Sequence, residues 1–378
     1  VDVADTLSGL VGRYYGLIFV VLAAMGLVLV REEPRPRRSA GIVGLSVLVV
    51  LFLVSIPVIR NGCYNLIRAD IIFKQGGAFA NSNSVSEKQV GIEHFERSIA
   101  YAPHEDYYYL FLGKAYLELA QGLGEETSAE QREAIFVKTE DVLTAARETN
   151  PLNTDHSANL ARFYKSWAAR VAADLRAENL GEAEIASLQA RRRVLLQQSL
   201  ENYEIALTLS PHNPILWNEL AQLYAIDLGD QARFEETIAH SLEVDEDFEQ
   251  TWMLLGDLDS SQGDIDGAIE AYLRSLEIKN NCTVRRVVGT LYAQQSRWDE
   301  SAAFLESSVA ECETAGDLWE MYRILAITYA NQGAVAQALE TAEVSLGLAP
   351  ADQKPMIQQM IDQLLGSESQ VGEDPATG

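Results

Sequence analysis

Hydrophobic residues are concentrated at the start of the chain, and a polar, helix-forming pattern follows them. No charged residue occurs from Tyr14 to Val30, and none occurs from Ser39 to Ile59. At ~1.5 Å rise per residue, each run is long enough to cross most or all of a hydrocarbon core of about 30 Å. The pattern therefore predicts two transmembrane helices, at about 14–30 and 40–59, in an N-terminal membrane hairpin that covers residues 1–62.

The connector between the two runs is rich in arginine. Residues 31–38 contain four Arg, whereas the flanking segments contain only Arg13 before the first run and Arg60 and Arg68 after the second. Positive residues favour the cytoplasmic side of a membrane. We therefore expect the connector in the cytoplasm and the rest of the chain, from residue 63, on the opposite side. A different interpretation buries this hairpin in the middle of a protein polymer.

After residue 62 a short pattern recurs, in which a bulky residue is followed by Leu and then Gly or Ala, usually with Tyr three residues later. Small residues at fixed positions are typical of helices that approach closely, and repetition is typical of stacked helix pairs. Partial copies begin near Gly76, Leu160 and Val288. The clearest copies are Tyr109-x-x-Leu112-Gly113-x-x-Tyr116, Trp217-x-x-Leu220-Ala221-x-x-Tyr224, Trp252-x-x-Leu255-Gly256 and Tyr322-x-x-Leu325-Ala326-x-x-Tyr329.

This pattern resembles the tetratricopeptide-repeat (TPR) family. The resemblance implies an all-α fold, an α-solenoid of about seven helix pairs over residues 63–350, with a concave groove that is lined by the first helix of each pair. Such grooves typically bind proteins, so we expect protein partners in the groove or at the segments that lengthen two of the repeats, around 122–131 and 178–193. The groove candidates are Tyr107, Leu110, Lys114, Asn218, Gln222, Met253, Asp257 and Arg323. For Tyr107 and Leu110, packing against the preceding repeat is the alternative to recognition of a peptide or a sugar.

The pattern of residues at the end of the sequence predicts a capping helix followed by a disordered tail. Apolar residues recur at helical spacing within 351–365, including Met356, Ile357 and Leu364, which predicts a C-terminal capping helix. Residues 366–378 are rich in Gly, Ser, Glu and Pro, so we expect them to be a disordered tail.

Two cysteines fall within one repeat, at opposite ends of its sequence. Cys282 would begin the first helix and Cys312 would end the second, and these points are neighbours in an antiparallel pair. A disulfide is therefore predicted, and the alternative is two unrelated buried residues. Asn281, in Asn-Cys-Thr, is a candidate glycosylation site.

The net charge and the absence of catalytic motifs indicate which classes of function are not expected. The formal net charge is −26, which repels phosphate backbones, so nucleic acid is not an expected partner. The sequence has no phosphate-binding loop, its five His are scattered singly, and no serine lies in a nucleophile-elbow context. We therefore predict no catalytic residue, no metal site and no cofactor, and we expect that the protein is not an enzyme.

The order of the segments carries a second resemblance. Two apolar runs with an Arg-rich connector precede 69–76 and then 104–116, an arrangement similar to the C-terminal spans and TPR tail of bacterial O-antigen ligase/polymerase-like membrane proteins. That family's catalytic loop has no counterpart here, so none of its residues is carried over. The resemblance implies an anchored extracytoplasmic scaffold in cell-envelope polysaccharide assembly, at the bacterial cell membrane. The alternative is an extracellular, glycosylated subunit that self-assembles into a filament through its repeats.

Overall fold

The structure, a computed structural model, describes Gly16 and residues 42–82, 84–122, 127–177 and 180–371. Regular structure within these ranges is helical, and π-helical turns follow the first and eighth helices, at Arg60–Tyr64 and Leu223–Leu228. The α-helices are α1 (Ile42–Ile59), α2 (Asn65–Ala80), α3 (Val85–Tyr101), α4 (Asp106–Gly122), α5 (Ala129–Thr149), α6 (Thr154–Asp174), α7 (Glu182–Leu209), α8 (Pro214–Gln222), α9 (Gln231–Val244), α10 (Glu249–Gln262), α11 (Ile265–Ile278), α12 (Cys282–Gln294), α13 (Trp298–Glu311), α14 (Leu318–Asn331), α15 (Val335–Leu348) and α16 (Lys354–Val371).

Within the described ranges, no helix combines the length and the apolarity that crossing a membrane requires. The predicted fold with two transmembrane helices is therefore wrong in this respect. The segment predicted at 14–30 lies outside the described residues, apart from Gly16. The segment predicted at 40–59 corresponds to α1, which has 18 residues and contains Pro57. The π-helical turn that begins with Arg60 ends this apolar stretch.

The chain divides into two compact units, Val1–Pro211 and His212–Gly378. The first contains the antiparallel pairs α2/α3, α4/α5 and α6/α7, and the second contains α8/α9, α10/α11, α12/α13 and α14/α15, with α16 packed on α15. The prediction of an all-α helical-repeat fold is confirmed. The charge is uneven, because the first unit has 25 acidic and 21 basic residues while the second has 30 and 8.

Glycines in the repeat pattern allow two helices of a pair to touch. A Cβ on Gly113 of α4 would lie 2.4 Å from Leu143 Cδ2 of α5. A Cβ on Gly91 of α3 would lie 2.5 Å from the backbone nitrogen of Ala80 in α2. Both distances are too short for a side chain, so glycine permits the close approach that the repeat geometry needs.

A hydrogen bond from a tyrosine to a carboxylate recurs between neighbouring pairs. In each case the tyrosine of a first helix donates to a carboxylate on the second helix of the preceding pair. The bonds join Tyr116 to Glu96 at 2.6 Å, Tyr164 to Glu140 at 2.7 Å and Tyr329 to Glu306 at 2.6 Å. Burial, and then the bond to the carboxylate, raises the pKa of these phenols, for Tyr329 to about 12.

The last helix lies on the end of the second unit. Ile357 and Ile361 of α16 are buried in a cluster with Ala326 of α14 and Ala342 of α15. The helix begins at Lys354 and continues to Val371, past the end of the 351–365 range predicted for it. Residues 372–378 of the predicted tail lie outside the described residues.

Candidate protein-binding groove

Two adjoining pockets open along the first helices of the first unit, and we call them together the α2–α4–α6 groove. The larger has a volume of about 270 Å³ and is lined by Leu110, Phe111, Gly113, Lys114 and Leu117 of α4, Leu143 of α5, and Asn159 and Arg162 of α6. The smaller, of about 100 Å³, is lined by Phe73, Lys74, Gly77 and Ala80 of α2, Asn81, Phe95 of α3, and Phe111, Lys114, Ala115 and Glu118 of α4. Phe111 and Lys114 line both pockets, so the two lie side by side along α4.

The floor of this groove is apolar, and one edge is aromatic. The Tyr107 ring lies 5.2 Å from the ring of Phe73 and 4.6 Å from that of Phe111, between centroids. Phe73 is almost fully buried, whereas Tyr107 is 50% exposed. Tyr107 therefore both packs on the preceding repeat and presents one face to solvent.

Cations outnumber carboxylates at the groove. Lys114 Nζ lies 3.6 Å from Glu118 Oε1, and the buried stem of Lys88 brings its Nζ within 2.7 Å of the other oxygen of that carboxylate. Glu118 is thus shared between two ammonium groups. At the α2 edge, Lys74 donates to Asp70 at 2.7 Å, which raises the lysine's pKa.

The larger pocket has two cations in its lining and no carboxylate. Lys114, from α4, is exposed, and Arg162, from α6, is half-buried and donates to Asn159 Oδ1 at 3.0 Å. In a chain with a net charge of −26, these apolar walls and two cations favour a ligand that combines an apolar group with a negative charge.

The sequence-predicted groove residues of the first unit come together, because Leu110 and Lys114 line the same pocket and Tyr107 borders it. Sequence reasoning missed Arg162. The signal was available, because Lys114 directly follows Leu-Gly and Arg162 directly follows Leu-Ala, at the same position of the repeat pattern.

The predicted groove residues of the second unit do not form a comparable site. Asn218 is buried, and its side chain bonds with those of Ser241 (2.9 Å) and Thr251 (3.0 Å). Gln222 is half-buried at the end of α8, and Met253 packs against the α11/α12 cluster.

The last two candidates engage neighbours of their own. Asp257 is exposed and accepts a hydrogen bond from the Tyr272 hydroxyl at 2.5 Å. Arg323 lies 3.8 Å from Glu320, a carboxylate that also pairs with Arg286 at 3.1 Å. Asn218, Met253, Asp257 and Arg323 therefore take part in packing and polar contacts within and between the repeats.

Cys282 and Cys312 are joined by a disulfide with a Cα–Cα distance of 5.7 Å, the pairing predicted from the sequence. Asn281 caps α12, because its Oδ1 accepts from the backbone N–H groups of Thr283 and Val284. Its Nδ2, the atom that a glycan would occupy, lies 3.9 Å from Met253 Sδ. A glycan there would have to displace this contact.

A partly buried polar cluster ties α4 to α6. Asp106 accepts from His156 Nε2 at 2.7 Å, from Asn150 at 2.9 Å and from Asn153 at 3.2 Å. Burial opposes ionisation of Asp106, but these hydrogen bonds outweigh it and hold the pKa of the carboxyl below its usual value. The cluster is a structural junction rather than part of the groove. In the part of the chain that the structure describes, no group of His, Cys, Asp or Glu side chains could hold a metal ion.

Comparison with protein families matches residues 249–282, which comprise α10 and α11, to a tetratricopeptide repeat. Among solved structures, a thermophilic TPR protein of Thermus thermophilus is similar at 16% identity, over 60% of this chain and 99% of that one, with a TM-score of 0.41. A tetratricopeptide-repeat protein of Parabacteroides merdae is similar at 13% identity, over 79% and 98%, with a TM-score of 0.41. YrrB, described as a TPR protein with an unusual peptide-binding site, is similar at 15% identity, over 58% and 99%, with a TM-score of 0.39.

No curated protein matches this chain in sequence. The resemblance to O-antigen ligase/polymerase-like membrane proteins is not shown by these comparisons. What the family comparison supports is a tetratricopeptide repeat at residues 249–282.

Proposed function

We propose that the protein is a binding scaffold, and that its α2–α4–α6 groove holds an extended segment of a partner protein. The observation that carries this proposal is the larger pocket, with leucine walls and two cations on its rim. Its volume of about 270 Å³ is many times the ~10–15 Å³ that a cavity needs to hold one water, so it has room for a large side chain.

The groove chemistry defines the ligand class. We expect a segment with one large apolar residue that enters the larger pocket and an acidic residue that reaches Lys114 and Arg162. Burying the apolar side chain contributes about 1.5–3 kcal/mol, whereas an exposed charge pair contributes about 0.2–1 kcal/mol. The apolar residue therefore supplies most of the affinity, and the acidic residue sets orientation and selectivity.

The test is selection of random peptides against the intact chain, followed by fluorescence anisotropy with the selected peptides. We expect the peptides to share a large apolar residue beside Asp or Glu. Lys114→Glu and Leu117→Glu should each weaken binding by about tenfold or more, because the first reverses a rim charge and the second places a charge in the apolar pocket. Lys354→Glu, the same charge change on exposed α16, is the matched control and should bind normally.

Two results would refute this proposal. One is a selection in which no peptide is enriched over the library. The other is a set of enriched peptides that bind the Lys114→Glu and Leu117→Glu variants as tightly as the unchanged chain.

We also infer that the repeats work outside the reducing cytosol, at a cell surface or in the extracellular space. The disulfide between Cys282 and Cys312 supports this, because such bonds persist in oxidising compartments. Alkylation of the denatured protein from its native source, without reductant, tests the inference. Labelling of Cys63 alone is the expected result, and labelling of all three cysteines would contradict it.

A further inference from the structure

Glu118 of α4 is the one acidic residue among the described residues that line the α2–α4–α6 groove. It lies beside Lys114, which the acidic residue of a bound segment is expected to reach. Glu118 Oε1 is 3.6 Å from Lys114 Nζ, an ion-pair contact that is beyond hydrogen-bond distance. Lys114 is also the earlier residue of this i,i+4 pair, the weaker of the two orders on a helix. Glu118 therefore offsets part of the Lys114 charge without accepting a hydrogen bond from it.

Lys88 of α3 holds Glu118 from the other side. Its Nζ donates to Glu118 Oε2 at 2.7 Å and to the Ala80 carbonyl, at the end of α2, at 3.2 Å. The Lys88 side chain is 13% exposed, whereas that of Lys114 is 61% exposed. A hydrogen bond between opposite charges is stronger where water is largely excluded. Glu118 is therefore fixed mainly by Lys88 and only weakly by Lys114.

This arrangement affects any ligand carboxylate that reaches Lys114. The ligand carboxylate and Glu118 would share one ammonium group, and their like charges would repel each other. Glu118 keeps its bond to Lys88 when this happens, so it can give up Lys114 without losing its own partner. The repulsion weakens an acidic ligand, and the bond to Lys88 limits by how much.

We propose that Glu118 is a built-in competitor of the ligand's carboxylate, and that Lys88 is the positioning residue that limits this competition. The inference rests on the proposed function, because it concerns the selectivity of the same groove. Lys114 attracts acidic ligands, Glu118 lowers that preference, and Lys88 sets the size of the reduction. Salt should diminish the effect, because the charges at Lys114 and Glu118 are accessible to solvent.

Pairs of peptides test the proposal by fluorescence anisotropy with the intact chain. Each pair consists of a selected acidic peptide and the same peptide with its Asp or Glu replaced by Asn or Gln. Glu118→Gln should bind the acidic peptide about two- to fivefold more tightly, the scale of one exposed charge contact, and should bind the amide peptide unchanged. Glu270→Gln, the same change at an exposed position of α11, is the matched control and should alter neither affinity.

Lys88→Met should have the opposite effect. The variant keeps an apolar stem but loses the ammonium group, so Glu118 turns towards Lys114 and the acidic peptide should bind about two- to fivefold more weakly. In the double variant Lys88→Met/Glu118→Gln no carboxylate is left to be released, so the tight binding of Glu118→Gln should be retained. A purely structural role for Lys88 would instead weaken acidic and amide peptides alike. Far-UV circular dichroism should show equal helix content in all variants.

Acetylation of Lys114 tests the same competition without any peptide. Sulfosuccinimidyl acetate is anionic and succinimidyl acetate is neutral, so the ratio of their labelling rates separates attraction of negative charge from reactivity of the amine. Mass spectrometry of the digested protein should show this ratio at Lys114 rising about two- to fivefold in Glu118→Gln and falling in Lys88→Met. The ratio at Lys354, which is exposed on α16, should stay constant.

The outcomes separate this inference from the proposed function. If no peptide is enriched in the selection, the proposed function fails, and the labelling ratio alone decides whether Glu118 controls access of anions to Lys114. If peptides bind but Glu118→Gln leaves the preference for acidic over amide peptides unchanged, the role of Glu118 is overturned and the proposed function stands. A double variant that binds the acidic peptide as weakly as Lys88→Met would overturn the positioning role of Lys88.

Discussion

Replacing Gly91 by alanine tests how α2 and α3 are held together. The new Cβ would lie 2.5 Å from the nitrogen, 2.7 Å from the Cα and 2.8 Å from the Cβ of Ala80. Carbon atoms in contact prefer about 3.5–4.0 Å, so the end of α2 must move away from α3 by about 1 Å. The obstacle is backbone, and no rotation of a side chain relieves it.

The magnitude follows from two opposed effects. Overpacking of this kind costs about 1–3 kcal/mol, and the better helix propensity of alanine returns about 1 kcal/mol. We therefore expect Gly91→Ala to destabilise the α2/α3 pair by up to about 2 kcal/mol. Because 1.4 kcal/mol corresponds to tenfold in an equilibrium constant, the amides of α2 and α3 should exchange faster, by up to roughly 30 times.

Native-state hydrogen exchange measures this effect helix by helix, which suits a chain of two units. Gly113→Ala is the first control, because its clash is with the end of the Leu143 side chain, which can rotate, so its effect should be smaller. Gly347→Ala is the second, because it has open space around it in α15 and should gain about 0.5–1 kcal/mol. If Gly91→Ala slows exchange as Gly347→Ala does, the argument from close approach is refuted.

Three further outcomes are expected. The hydrogen bonds to Asp106 hold its pKa below the ordinary 3.8, so their contribution to stability is present above that pH and is lost as pH falls through the lowered pKa. Thermal melts across this range should therefore show a smaller acid-induced loss of stability for Asp106→Asn than for the unchanged chain. An equal loss in the two proteins would contradict this prediction. Burial and the hydrogen bond to Glu306 raise the pKa of Tyr329 to about 12, so the contribution of Tyr329 to stability is lost as pH rises from 10 through about 12. The melting temperature of Tyr329→Phe should therefore fall less steeply with alkaline pH than that of the unchanged chain. An equally steep fall would count against this prediction. Reducing the Cys282–Cys312 disulfide, which closes a 30-residue separation, should lower the stability of α12/α13 by about 3–4 kcal/mol, measured by hydrogen exchange with the α10/α11 pair as reference.

The repeat fold could be predicted from the sequence because its signature has a steric cause. Gly113 and Ala161 recur where two helices touch, and larger residues there would separate them. Leu110 and Lys114, which the sequence analysis proposed for the groove side of a first helix, both line the larger pocket. Arg162 was missed because each repeat was considered alone, although it occupies the position of Lys114 one repeat later.

Other features could not be read from local pattern. Asn218 was expected at a surface groove, but Ser241 and Thr251, 23 and 33 residues further on, satisfy its amide in the interior. The sequence could not show that these partners converge. Helix α1 illustrates a second limit, because its apolar run predicted a membrane span, whereas no described helix has the length and apolarity to cross a membrane.

The disulfide also has a mechanical consequence for any scaffold under load. If the two ends of the chain were pulled apart, the segment from Cys282 to Cys312 could not extend, because its ends stay 5.7 Å apart. About 30 residues at ~3.5 Å each, or roughly 100 Å of contour length, would remain hidden until the bond was reduced. A single-molecule stretching trace should therefore lengthen by that amount after reduction, and the repeat would act as a force-bearing link whose reach is set by redox state.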